Sequence, residues 1–103
     1  MQIMFGIMRK AKREVKDSTV YMEIFGDNNV AYRVITGKIA FLGEEITTYG
    51  VEAEDYISGE KETINDFSRD MEDAVDFAEM LISGRVKPVH IYDKALHYLC
   101  VSI

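Results

Sequence analysis

The residue types with most chemistry to offer crowd one stretch, Val86–Cys100. It holds the only proline (Pro88), both histidines (His90 and His97), Asp93 and the only cysteine (Cys100). Imidazole, carboxylate and thiol together could ligate a metal or move a proton, so their spacing decides. On a helix, His90, Asp93, Lys94 and His97 share one arc of about 100°, opposite Ile91, Tyr92, Ala95, Leu96 and Leu99. The two histidines are seven residues apart, about 10.5 Å along the axis, whereas both would have to come within about 2.1 Å of a shared ion. Asp93 with His97, or His97 with Cys100, supplies two ligands, short of a complete set unless a homodimer adds the rest. A metal-dependent activity around His90 and Asp93 is therefore the weakest candidate function. A local role is simpler: in "HIYD", Asp93 at the third helical position could reach back to the N–H of residue 90 as a capping box.

Other catalytic patterns are missing from the sequence. There is no Gly-rich phosphate loop, no GxSxG and no CxxC, and Cys100 sits among apolar neighbours, where an inert thiol is commoner than a nucleophile. The expectation is a protein without enzymatic activity or cofactor.

Carboxylates are the other concentrated chemistry. Residues 1–16 carry five cations and one carboxylate, a net of +4; the whole chain stands at −6, which leaves −10 for residues 17–103. Glu72, Asp73, Asp76 and Glu79 fall on one predicted helix, and Glu52, Glu54 and Asp55 could extend them into a continuous acidic surface if strand and helix lie side by side; two separate solvated faces are the more ordinary arrangement. A surface of this sign repels phosphate backbones and attracts basic proteins, although solubility alone also accounts for it. The leading expectation is a small non-enzymatic cytosolic binding or regulatory module with an acidic surface and a basic protein partner, and no direct contact with nucleic acid. An inhibitor that mimics nucleic acid is an alternative from the same charges. A lone cysteine cannot form an internal disulfide, which favours the cytoplasm.

A third function class comes from the N-terminus. Ile3, Met4, Ile7, Met8, Ala11 and Val15 gather on one side of a helix, with Arg9, Lys12, Arg13 and Lys16 on the other. Such a helix either packs on the fold or lies on an anionic membrane, which makes a peripheral membrane protein anchored by residues 1–16 the second alternative. No apolar run approaches the roughly 20 residues of a membrane span, and the order of basic and apolar residues is wrong for a signal peptide.

The elements that must position these groups follow from periodicity. "TVYMEIF" and "VAYRVIT" alternate with period two around "GDNN", a hairpin signal rich in types that tolerate positive φ. Further strands are expected at "KIAFL", between Gly37 and Gly43, at "ITTYGVEAEDY", and at "KETIND" as a charged edge, each with one core face and one wet face. Met71, Ala74, Val75, Ala78, Leu81 and Ile82 form a helical stripe, with Ser68 as its expected N-cap and Gly84 at its end. A second helix runs from about Pro88 to Val101, with proline in its first turn. The predicted architecture is α+β: an antiparallel meander of three to five strands packed against two C-terminal helices. Residues 1–17 form a basic amphipathic segment, with a third helix left open, and residues 18–103 a single domain.

"TYGVEAED", the helix "DMEDAVDFAEMLISG" and the tail "VKPVHIYDKALHYL" carry a resemblance over roughly residues 48–99. Together they resemble a family of small uncharacterised proteins, a domain of unknown function found mainly in clostridia and related Gram-positive bacteria. Its pattern is a Tyr-Gly-Ile/Val strand, a helix and a Pro-x-His-x-x-Asp segment, here Pro88, His90 and Asp93, with Lys87 where the pattern has serine. The resemblance implies a fold and a bacterial host but no activity, which leaves Glu72, Asp73, Asp76, Glu79, His90 and Asp93 as the candidate interaction residues.

Overall fold

Period-two alternation makes extended chain, and the turns decide how it pairs. The computed structural model describes residues 15–101. Four antiparallel strands lie in the sheet in chain order: β1 (Lys16–Phe25), β2 (Val30–Phe41), β3 (Glu44–Asp55) and β4 (Lys61–Ser68). Helix α1 (Met71–Ser83), a 3-10 turn (Pro88–His90) and helix α2 (Ile91–Val101) follow. The α+β meander with two C-terminal helices is thus as predicted. The expected N-terminal helix falls on residues 1–14, outside the described residues, as do the side chains of Leu99 and Cys100. β1 begins at Lys16, so the last two residues of the 1–17 segment are already strand.

Two turns set the register. At the first, Gly26 N–H donates to Val30 O at 2.8 Å and Asn29 adopts φ 65°. At the second, Leu42 and Gly43 both take positive φ, 52° and 80°, between paired Phe41 and Glu44. A two-residue turn of that kind matches the right-handed twist of its strands. Between the turns β2 runs unbroken, where two strands divided at Gly37 were expected. Gly37 is buried, and a Cβ there would collide with the Val15 side chain, so this glycine permits a close approach instead of ending a strand. Gly50 acts likewise, since its Cβ would strike the carbonyl oxygens of Ile64 and Asn65 where β4 bulges against β3.

One sheet face holds the core. Val30, Tyr32 and Val34 of β2, Val51 and Ala53 of β3, and Ile64 and Phe67 of β4 meet Ala74, Phe77, Ala78 and Leu81 of α1 and Ile91 and Ala95 of α2. Phe67 and Phe77 stack at 4.7 Å, and Tyr98 leans on both rings. The Tyr32 hydroxyl donates to Val86 O at 2.6 Å and accepts from Asn28 Nδ2 at 3.1 Å, tying the first turn to the link between the helices.

The other face is not simply wet. Ala31, Ile35 and Ile39 alternate away from the helix side, yet all three are buried. The nearly continuous apolar run of β2 is what a strand buried on both sides looks like, and the expectation of one wet face fails there for that reason.

Candidate functional site

Helix α1 puts its apolar stripe inward and its acids outward. Asp70 is the N-cap, accepting from Glu72 N–H at 3.0 Å, whereas the expected cap, Ser68, accepts from Asp70 N–H and donates to the Asp73 carboxylate. Glu72, Asp76 and Glu79 follow at i, i+4 and i+7 and so form one stripe spanning about 10 Å, with Asp73 beside it. All four side chains are exposed, α1 carries no basic residue, and none of the four forms an ion pair among the described residues. Their field extends to α2. Burial, and then the charges of Asp73 and Asp76, push the Tyr98 hydroxyl above the usual phenol range.

The carboxylates of β3 do not continue this surface. Val51 and Ala53 face the helices, so alternation turns Glu52 and Glu54 to the opposite side of the sheet. Asp55 is buried at the strand end, where its carboxylate accepts from Ile57 and Ser58 N–H and from Lys87 Nζ at 3.2 Å. Those backbone hydrogen bonds first, and Lys87 after them, hold it below the usual carboxylate range. Lysine before Pro88 therefore has a structural partner. The continuous acidic surface does not form: as in the reading of two separate faces, Glu52 and Glu54 lie across the sheet from α1, and Asp55 pairs with Lys87 at the strand end.

On that opposite side lies a cluster that the sequence did not suggest. Register sets Arg33 of β2 opposite Glu23 of β1 and Glu52 of β3. Its Nε donates to Glu23 at 2.6 Å, Nη1 to Glu52 at 2.8 Å, and Nη2 to Glu54 and the Tyr56 hydroxyl, both at 2.9 Å. The Glu52 carboxylate also accepts from the Thr63 hydroxyl at 2.7 Å. The Arg33 side chain is 12% exposed, so these bonds form largely out of water. Burial alone would lower the guanidinium pKa, but the hydrogen bonds to Glu23, Glu54 and Glu52 outweigh it and raise it above its ordinary value. Burial likewise opposes ionisation of Glu52, yet the Thr63 and Arg33 hydrogen bonds prevail and hold it low. With every guanidinium nitrogen engaged, the cluster can rigidify the sheet.

The C-terminal tail brings no site together. His90, Asp93 and His97 are exposed, and among the described residues none of their side chains makes a hydrogen bond or ion pair. His90 N–H donates to Lys87 O at 2.9 Å within the 3-10 turn, so α2 begins later than expected and the capping box with Asp93 does not form. Among the described residues no three His, Cys, Asp or Glu side chains converge as metal ligands would, and no helix is long and apolar enough to cross a membrane.

Fold and surfaces define a small α+β domain with one acidic helix face, a reverse sheet face centred on Arg33 and an uncommitted histidine tail. The chain belongs to the family of unknown function DUF6514, whose model matches residues 6–98, beyond the 48–99 of the expected resemblance. No curated protein and no solved structure matches it.

Proposed function

We propose that this domain is a non-enzymatic cytosolic binding module that offers the exposed face of α1 to a basic protein partner. The carrying observation is the stripe Glu72, Asp76 and Glu79, exposed and without ion pairs among the described residues, on a helix whose opposite side is anchored in the core. Side chains held on a rigid helix keep their spacing, which favours a specific contact over diffuse attraction. The separation of the β3 acids from α1 makes one protein-sized patch a better reading than an extended phosphate mimic.

The test is capture from a lysate of the native host at low and high salt, followed by zero-length carbodiimide cross-linking. A basic partner retained at low salt, released at high salt and cross-linked through Glu72, Asp76 or Glu79 supports the proposal. Failure to retain any partner at low salt, or cross-links only through other carboxylates, counts against it.

A further inference from the structure

The reverse face of the sheet has a buried patch of its own. Val30, Tyr32 and Val34 of β2 face the helices, so alternation turns Ile35, Gly37 and Ile39 the other way, paired with Gly50, Thr48 and Ile46 of β3. Both helices lie on the opposite side, and among the described residues no element lies over this one. Yet Ile35 is 7% exposed, Ile39 1%, and Thr48 is fully buried. Side chains on a sheet stand roughly perpendicular to it, so a bare face leaves them in water. That is their state at β1, where Val20, paired with Ile35, and Phe25, paired with Ala31, are 56% and 60% exposed. The buried patch is therefore centred on β2 and β3, away from the β1 edge.

We propose that residues 1–14 of the same chain cover this patch as an amphipathic helix, with the stripe Ile3, Met4, Ile7, Met8 and Ala11 packed on Ile35, Ile39 and Ile46. The path of the chain at Val15 points there. A Cβ on Gly37 would collide with Cγ1 of Val15, so the Val15 side chain sits over Gly37 on the reverse face, between Ile35 and Ile39. Val15 belongs to the same stripe, four residues beyond Ala11, so the preceding turn arrives with its apolar side toward the sheet. One valine does not bury two isoleucines and a threonine on the next strand. A helix of that length is about 21 Å long, enough to cross β2, β3 and β4 at about 4.8 Å per strand. Charge favours the same occupant: residues 1–14 hold four cations and one carboxylate, while Glu44, opposite Phe41, and Asp66, which accepts from the Thr48 hydroxyl, lie on this side. The stripe is then held against the domain and withheld from a membrane surface. Helix α1 lies across the sheet, so loss of this cover and loss of the basic partner are separate results.

Nuclear Overhauser spectroscopy on the full chain with isotope-labelled isoleucine methyls tests this. Contacts from Ile3 or Ile7 to Ile35, Ile39 or Ile46 are expected, and they should persist within single chains when labelled protein is diluted into unlabelled protein. Thermal unfolding gives a second readout. Ile7→Ser/Met8→Ser is expected to lower the midpoint by about 10 °C or more, whereas Arg9→Gln, on the opposite side of the helix, should shift it by less than about 2 °C. Absence of every such contact, or contacts only between labelled and unlabelled chains, as a second copy would give, overturns the proposal. So does a double variant that melts as Arg9→Gln does, or a wild type that floats with phosphatidylglycerol vesicles at physiological salt, which would assign the stripe to a membrane.

Discussion

At the scale of single residues, Arg33 ties β1, β2 and β3 together through Glu23, Glu52 and Glu54. Arg33→Met leaves Glu23, Glu52 and Glu54 facing one another without a cation. Because the site is only partly open to water, the expected cost is about 3 kcal/mol, read from urea denaturation at neutral pH. The pH dependence has a definite sign. Glu52 is held below its ordinary value in the fold, so its contribution is complete above the usual carboxylate range and is lost as pH falls through the folded value. Acidification also relieves repulsion in the variant, so the stability gap between wild type and Arg33→Met should narrow toward pH 3; a gap that widens there contradicts the assignment. Leu42 offers a change of opposite sign. It holds φ 52° while 87% exposed, a conformation that asparagine accepts far more readily. Leu42→Asn is expected to stabilise the protein by about 0.5–1 kcal/mol, visible as a raised midpoint in thermal unfolding.

At the scale of elements, helix α1 and the meander were legible because each rests on a local period. The stripe through Ala74, Ala78 and Leu81 and the alternation through Val51 and Ala53 both point at the core as read. Leu81→Ala is expected to cost about 2–5 kcal/mol by equilibrium unfolding, since the side chain is fully buried. The Arg33 cluster was not legible, because its partners are 10, 19 and 21 residues away and only the register unites them. That register depends on the turn at Leu42 and Gly43, where leucine hides a geometry that asparagine would have announced. Gly37 misled for a similar reason: a glycine that admits Val15 and a glycine that ends a strand look alike in sequence. Gly50 is the sharper case, since backbone rather than a side chain occupies the space. Gly50→Ala is expected to lower stability by about 3 kcal/mol and to loosen β4 first in hydrogen exchange, whereas uniform loosening would point elsewhere.

At the scale of the whole molecule, the sheet divides the chemistry. Helices and core lie on one side, with α1's acids on the outer surface; Glu52 and Glu54 of β3 lie on the other, tied up by Arg33. The candidate acids on α1 could be placed from sequence because a helix stripe is local, and their separation from Glu52 and Glu54 was one of two readings there, decided by which way β3 faces. The sequence's concentration of rare residues in the tail resolves into Pro88 starting a 3-10 turn and exposed histidines with no common partner among the described residues. The central claim is that the free carboxylates of α1 form the partner surface, and Glu72→Lys/Asp76→Lys/Glu79→Lys addresses it directly. All three positions are solvent-exposed, so the triple variant should fold. In low-salt capture from host lysate it is predicted to lose the partner that the wild type retains; retention of the same partner by both proteins would contradict the claim.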